Sequence, residues 1–407
     1  MPGLSPADHV LVVGAGLAGW RTCEELRRHG YAGRLTLIGD EPHAPYDRPP
    51  LSKQVMSGKW TLEHTTLATP EKLAVADVEL LVGAGATRLD VATHSVTLSD
   101  GRVVTGTHVV IATGARARRL AFHHDVLFEV RTRDNVARLT TRLSVLGPGD
   151  VVAIIGAGFI GAEVATALGA RGLRPVVLEA AARPLVGVLG EEVSRWLASL
   201  PGDAGIDVRA DQRIAGVEAV GDEGDAEVVF EDGARLAARA VIVGVGAQPN
   251  VEWLEDSGLV LDNGVVVDAH QLGAARVGAV GDVARFPWPD GSFVRVEHWQ
   301  VATDHAGALA RYWTTGESAA TLIPYFWSDQ YGRKIQVLGH PHPEDDVVRV
   351  KDTGEGQWLG VYSRRGIVSG LVALNQPRAL TLSRSLLEEP TTLEAAYSRS
   401  PWSGPTP

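Results

Sequence analysis

The clearest chemistry in this chain lies in two glycine runs of identical spacing, Gly14-Ala15-Gly16-Leu17-Ala18-Gly19 and Gly156-Ala157-Gly158-Phe159-Ile160-Gly161. In such a run the first glycine permits a tight turn, the second lets backbone approach a pyrophosphate, and the third lets a helix pack closely on a strand. The helix N-terminus then aims its free N–H groups at the phosphates. A carboxylate follows each run: Asp40 lies 26 residues beyond Gly14 and Glu179 lies 23 beyond Gly156, against roughly 20 for a ribose-binding acid. Glu41 competes with Asp40 for that role, and either acid could be an ordinary solvated turn residue. The only cysteine is Cys23. Alone it can form neither an intrachain disulfide nor a redox-active dithiol, and its ordinary reading is a small buried side chain.

The elements that must hold these residues can be read around them. Apolar His9 to Val13 stops at Gly14 and a helical pattern runs on through Arg28; Val151 to Ile155 stops at Gly156 and a helical stretch runs to Arg171. Each unit is strand, turn, helix, the context that a glycine run needs to rise above chance. Second strands, Arg34 to Ile38 and Pro175 to Leu178, end near the two carboxylates. Alternating runs at 96–101 and 228–233 both close on Asp-Gly, a hairpin signal. Each is followed by an apolar strand opening onto glycine, His108 to Gly114 and Ala240 to Gly246. The same modules in the same order twice indicate an α/β fold with two homologous Rossmann-like domains, one for each of two different dinucleotides.

A chain of 407 residues exceeds what one core usually supports. With 45% apolar and 21% charged residues it has the composition of a folded globular protein. A net charge of -11 and a pI near 5.6 disfavour nucleic acid or an anionic membrane as the main partner, since both select basic surfaces. No run of roughly 18 apolar residues and no basic-then-apolar leader is evident, so a cytoplasmic location is expected. His123 and His124 lack partners at metal-ligand spacing, and no metal site is expected. The polar tail at 388–407 suggests no function.

Further motifs join the doubled cradle: Gly39-Asp40-Glu41-Pro42-His43, Pro45-Tyr46-Asp47-Arg48-Pro49-Pro50-Leu51-Ser52-Lys53, Ala112-Thr113-Gly114-Ala115-Arg116, Gly281-Asp282-Val283-Ala284, Val296-Glu297-His298-Trp299-Gln300 and the run at 324–331. From about Val10 to Asn375 the chain resembles the FAD-dependent pyridine nucleotide oxidoreductase superfamily, in its ferredoxin reductase branch. The resemblance implies FAD in the first cradle and NADH in the second. It implies a discontinuous FAD domain of residues 1–115 and 246–323, an NAD domain of 116–245 and a C-terminal α+β domain of 324–407. For FAD it points to Gly14, Gly16, Ala18, Gly19, Asp40, Glu41, Ala86, Thr113, Gly114 and Asp282. It also places Arg48 and Lys53 near the flavin and its phosphates, Arg131 at the domain junction and Trp299 beside the isoalloxazine. For NAD it points to Gly156, Gly158, Ile160, Gly161, Glu179 and Gly246, with Glu163 reaching the nicotinamide carboxamide. One departure stands out, in the helix after Trp299, which reads Val301-Ala302-Thr303-Asp304-His305-Ala306-Gly307 where many relatives carry a Glu-Gln pair followed by a basic residue.

Relatives that reduce disulfides or peroxide need a cysteine close to the flavin, and the segment Asp47 to Lys53 offers proline, leucine, serine and lysine instead. The flavin would then be the last redox group within the chain. Because a flavin takes up hydride and releases electrons singly, the expected activity is that of an NADH:ferredoxin reductase serving an oxygenase such as a cytochrome P450. NADH is expected over NADPH, since Glu179 would meet a 2'-phosphate with like charge. A rubredoxin or quinone reductase is the alternative among enzymes. A flavoprotein with a mainly binding or signalling role is the alternative from another class. Arg116, Arg118, Arg119, Arg131, Arg133, Arg138 and Arg142 concentrate positive charge in an acidic chain. They form a candidate docking face for an acidic iron–sulfur ferredoxin, or a solvated helix face.

Overall fold

The computed structural model describes residues 3–122, 126–221, 224–319, 322–354 and 356–399, so His123 and His124 lie outside the described residues. The chain divides into two compact units. Residues 1–47, 65–116 and 248–324 make the first, and 48–64, 117–247 and 325–407 make the second.

In the first unit His9–Val13 is a central strand of a six-stranded sheet, between Arg34–Ile38 and His108–Ile111. Val78–Leu81 extends the sheet beyond Arg34–Ile38, and Val277–Ala279 then Leu272–Ala274 extend it on the other side. All pairs are parallel except the last, which is antiparallel. Parallel strands are covered on both faces, which explains why the His9–Val13 run does not alternate. Leu11 and Val13 pack with Ile38 and Ile111 on one face, while Val10 and Val12 pack with Leu35 and Leu37 on the other. The helix Leu17–Arg28 buries Trp20, Cys23 and Leu26 in this second cluster, where Trp299–Thr315 contributes Ala302, Leu309 and Trp313. Ala86–Asp90, Ser95–Leu98 and Val103–Thr105 form a small antiparallel sheet, with the Asp100-Gly101 turn joining its last two strands as expected.

The second unit repeats the plan. Five parallel strands run in the order Asp207–Arg209, Arg174–Leu178, Val151–Ile155, Ala240–Val243, Leu127–Glu129. The helix after the second glycine turn is Phe159–Gly169, two residues shorter than its apolar pattern extends. A second small antiparallel sheet follows, and its middle strand Asp225–Phe230 buries Ala226, Val228 and Phe230 in alternation. The same unit holds a five-stranded antiparallel sheet in the order Tyr325–Gln330, Arg333–Gly339, Ile367–Leu374, Trp358–Arg364, Asp346–Asp352. Ile335, Val337 and Val372 of this sheet pack against Leu189, Val193 and Leu197 of the helix Val186–Leu197. That helix kinks at Gly190, where φ is 78° and a Cβ would lie 2.4 Å from the Pro343 carbonyl oxygen. No described helix is long and apolar enough to cross a membrane.

Candidate functional site

The first cradle is built around Gly14. Its N–H donates to the Ile38 carbonyl at 2.7 Å, its φ is +121°, and a Cβ would lie 2.1 Å from the Ala112 carbonyl oxygen. Only glycine fits there. A Cβ on Gly19 would meet the Gly14 oxygen at 1.9 Å, so the helix sits directly on the turn, and beside it Ala18 is buried. At Gly16, by contrast, a Cβ would meet nothing within 4 Å. Turn, packing and open approach are thus divided among three glycines, and the open one leaves room for a pyrophosphate.

Around this turn stand the other residues expected to hold FAD in the first unit. Asp40 is exposed, no described residue hydrogen-bonds to its carboxylate, and a Cβ at Gly85 would lie 2.5 Å from its Oδ1. Glu41 accepts a 2.5 Å hydrogen bond from the Tyr46 hydroxyl. Ala86 opens a strand, half-buried. Thr113 Oγ1 donates to the Asn250 carbonyl at 2.9 Å, Asn250 Nδ2 donates back to the Thr113 carbonyl at 2.8 Å, and the Asn250 N–H donates to the Gly114 carbonyl at 3.0 Å. Trp299 Nε1 donates to Asp47 Oδ1 at 2.9 Å. Asp282 lies in the short turn Gly281–Val283, where the Gly281 N–H donates to His305 Nδ1 at 3.3 Å. His305 is fully buried with no partner for Nε2 among the described residues, and burial pulls its pKa down to about 3. Its ring is therefore neutral, with the proton on Nε2.

In the second unit Gly156 has φ +102° and a Cβ there would lie 2.4 Å from the Gly244 oxygen; one on Gly161 would lie 2.1 Å from the Gly156 oxygen. Gly158 is again open, its Cβ position clear out to 4.0 Å. Glu179 Oε2 accepts from the Ala157 N–H at 2.8 Å and Oε1 from the Ala181 N–H at 2.9 Å. Backbone inside the glycine turn and in the following loop thus fixes both carboxylate oxygens before any ligand arrives. Ile160 is exposed on the first helical turn, and Gly246 is exposed with φ +100°.

Four further residues of this unit meet in two contacts. Arg48 Nη1 donates to the Arg131 carbonyl at 2.6 Å. Lys53 Nζ lies 2.8 Å from Glu163 Oε2, which also accepts from Ser52 Oγ at 2.6 Å, while Ser328 Oγ donates to Oε1 at 2.7 Å. Glu163 is only 3% exposed and Lys53 15%. A buried carboxylate is tolerated when it is paired and hydrogen-bonded, as here. Removing Lys53 would strand it at a cost of about 3–5 kcal/mol. The sequence pattern gives Ser52 and Ser328 no role, although both lie within motifs that carry the family resemblance. Nothing local marks them as partners of a glutamate 111 and 165 residues away.

Residues 8–306 match the family described as Pyridine nucleotide-disulphide oxidoreductase, and residues 325–401 match one described as Reductase C-terminal. The chain belongs to the pyridine nucleotide-disulphide oxidoreductase family. This oxidoreductase is 36% identical to the ferredoxin reductase component of a chlorobenzene dioxygenase from Cupriavidus sp. (strain PS12), over 96% of the chain and 95% of that protein. It is 34% identical to the ferredoxin–NAD(+) reductase subunit of a benzene 1,2-dioxygenase system from Pseudomonas putida, over 95% and 94%. Its fold superposes with a TM-score of 0.88 on a chain of the covalent putidaredoxin reductase–putidaredoxin complex, at 31% identity and 94% coverage of each. FAD and NADH are accordingly its two dinucleotides. The disulphide of the family name has no counterpart, because Cys23 is alone, buried in the first helix, and its thiol is pushed up to about 12 by burial.

Several arginines of the run at 116–142 have partners within their own unit. In the first unit Arg116 pairs bidentately with Glu252. In the second, Arg142 bonds the Asp225 carboxylate and the Arg239 carbonyl, Arg138 bonds the Leu127 carbonyl over the Phe128 ring, and Arg119 approaches Glu129 at 3.8 Å. No group of three or more His, Cys, Asp or Glu among the described residues could hold a metal ion.

Proposed function

We propose that this enzyme is an FAD-dependent NADH:ferredoxin reductase of the cytoplasm. It passes electrons one at a time to an acidic iron–sulfur ferredoxin that serves an oxygenase such as a cytochrome P450. The observation that carries the reading is two open glycine cradles in a chain whose only cysteine is buried, with its thiol pushed up to about 12 by burial. The domain assignment follows: FAD on residues 1–115 and 246–323, NADH on 116–245, and 324–407 as the third domain. Bound FAD supplies the chemistry, accepting hydride and releasing single electrons.

The chain's own residues bind and orient. Gly14, Gly16 and Gly19 seat the FAD pyrophosphate, Asp40 and Glu41 offer acceptors to its ribose, and Thr113, Gly114, Ala86, Asp282 and Trp299 border it. Arg48, Lys53 and Arg131 supply positive charge toward the flavin and its phosphates. Gly156, Gly158, Ile160, Gly161 and Gly246 shape the NADH cradle, and Glu179 takes the adenosine ribose. A carboxylate offers about four acceptor sites. Glu163 uses three on Ser52, Lys53 and Ser328, so its Oε1 retains capacity for the N–H of a nicotinamide carboxamide.

Anaerobic stopped-flow mixing tests the reading. NADH is expected to bleach the flavin absorbance, and a [2Fe–2S] ferredoxin added next to restore it while its own spectrum becomes that of the reduced cluster. Bleaching followed by transfer only to rubredoxin or a quinone would overturn the ferredoxin assignment; failure to bleach would overturn the enzyme reading itself.

A further inference from the structure

We infer that Glu191 reinforces the nucleotide preference of this reductase from outside the ribose site, by holding Arg183 in an ion pair that keeps it from a 2'-phosphate. The inference rests on the NADH reading proposed above. NADPH differs from NADH by that phosphate on the adenosine ribose, and sites that accept it present an arginine near the acid-bearing strand tip. Two arginines near this tip, Arg209 and Arg183, are each paired with a carboxylate.

Arg209 ends the strand paired with Arg174–Leu178, opposite Leu178, and its carbonyl accepts the Glu179 N–H at 2.9 Å. Its guanidinium turns back along its own strand onto Asp207, with contacts of 2.8 and 3.2 Å. Residues two apart on a strand share a face, so local geometry maintains this pair. Arg183 is held differently. The loop before it is tied down by the Asp211 N–H donating to the Ala181 carbonyl at 3.1 Å and by the Ala181 N–H on Glu179. Arg183 itself reaches across to Glu191, just past the Gly190 kink, where Arg195 also approaches the same carboxylate at 3.8 Å. The Arg183–Glu191 pair therefore spans loop and helix, and among the described residues no other hydrogen bond or ion pair holds the Arg183 side chain.

Arg183 is 39% and Glu191 53% exposed, and pairs this exposed contribute little to folding. The consequence of the pair lies in where it places charge. With Glu191 present, a 2'-phosphate meets the Glu179 carboxylate and an arginine already neutralised. Without it, a mobile guanidinium is left four residues from Glu179, free to bond a dianion bidentately. Glu191 is thus a positioning residue that acts through Arg183.

The test uses the purified holoenzyme with ferricyanide as acceptor, measuring kcat and KM for NADH and NADPH in the wild type, Glu191→Gln, Glu191→Asp and the double variant Glu191→Gln/Arg183→Ala. Glu191→Gln is expected to lower the KM for NADPH by at least about threefold. Its kcat and its KM for NADH should stay at wild-type values, which also reports intact folding. The gain should shrink as salt rises, since exposed charges are screened. It should vanish in the double variant, and Glu191→Asp should retain the wild-type preference. An unchanged KM for NADPH in Glu191→Gln, or a gain that survives loss of Arg183, overturns the inference. A wild type that uses NADPH as readily as NADH overturns the nucleotide reading on which it rests, and that result is read before any variant is made.

Discussion

Gly14 and Gly156 each donate their N–H to the last residue of the neighbouring strand, Ile38 at 2.7 Å and Leu178 at 2.8 Å, and each lies against a carbonyl that leaves no room for a Cβ. Beyond those strands the two cradles part. The residue after Leu178 is Glu179, clamped by two backbone N–H groups. The residue after Ile38 is Gly39, where a Cβ would lie 2.7 Å from the Cβ of Ala15. The first cradle cannot carry an acid at the position that Glu179 occupies in the second, and its carboxylate moves one residue on, to exposed Asp40. An acid fixed in advance discriminates between ligands by geometry, because it cannot retreat from a misplaced charge. An acid on an open tip adjusts to a cofactor that stays.

The sharpest separation of the two cradles is to block each in turn. Gly14→Ala drives a methyl into the Ala112 carbonyl at a site with φ +121°, a cost on the order of 4 kcal/mol or more, and is expected to yield colourless or insoluble protein. Gly156→Ala meets a similar obstruction in the other unit, yet should stay yellow while its KM for NADH rises by at least about tenfold. Absorbance spectra and NADH titrations distinguish the two. Loss of flavin from both variants alike would remove the division of cofactors between cradles.

Next in size is the clamped acid. Glu179→Ala removes a charged acceptor worth about 1.5–3 kcal/mol to a ribose hydroxyl and leaves two backbone N–H groups unclaimed. The KM for NADH should rise roughly ten- to a hundredfold, and the preference against NADPH should narrow. The matching change Asp40→Ala should cost flavin affinity less, because no described residue hydrogen-bonds to that carboxylate. If the two substitutions weaken their ligands equally, the distinction between a fixed and a free acid is empty.

The sequence alone revealed much of this and missed the rest for a physical reason. The strand Val151–Ile155 stands where its apolar run ends, because burial on both faces writes an uninterrupted pattern. The glycine turns were legible because close backbone approach admits no other residue. The counting of residues from Gly14 to Asp40 and from Gly156 to Glu179 suggested equivalent acids, and the Gly39 contact with Ala15 shows that they are offset by one. The arginines at 116–142 read as a positive face, but Arg116 and Arg142 are neutralised by Glu252 and Asp225, partners 136 and 83 residues away. The Glu163 network with Ser52, Lys53 and Ser328 was invisible for the same reason. Apolar periodicity is a local signal, whereas polar pairing is settled only by the tertiary fold.

Acid should divide the units more gently. His305 and His108 are buried in the first unit, and loss of solvation lowers their pKa values to about 3 and about 4. In the unfolded chain each would titrate near 6.5, so below that pH the unfolded state binds more protons. Stability is therefore full above pH 6.5 and is lost progressively as pH falls toward the folded values. At pH 5.5 the loss is about 1.4 kcal/mol for each histidine. Thermal release of the flavin, followed by its fluorescence, should move down by several degrees between pH 7 and pH 5.5, and His305→Gln should flatten part of that slope. A release temperature independent of pH over this window would show that these rings do not govern the first unit.

The smallest effect concerns a buried position that the helices behind the two cradles share, where one carries sulfur and the other does not. Cys23 follows Gly19 by four residues, and Ala165 follows Gly161 by four; both are fully buried. Cys23→Ala therefore gives the first helix the side chain that the second already carries. It deletes one sulfur from a packed cluster with Trp20, Leu26 and Leu37, a change that falls within the about 1 kcal/mol typical of single substitutions. If electrons pass through flavin alone, the variant should be yellow, bleach with NADH at the wild-type rate and reduce ferredoxin within about twofold of it, since a shift of a few tenths of a kcal/mol changes a rate no more than that. In the native wild type, the same cysteine should resist thiol reagents before and after NADH is added, because a thiol raised to about 12 holds almost no thiolate at neutral pH. Loss of turnover in Cys23→Ala with flavin retained, or a thiol that becomes reactive on reduction, would mean that the first helix contributes sulfur chemistry and that the two cradles differ in kind.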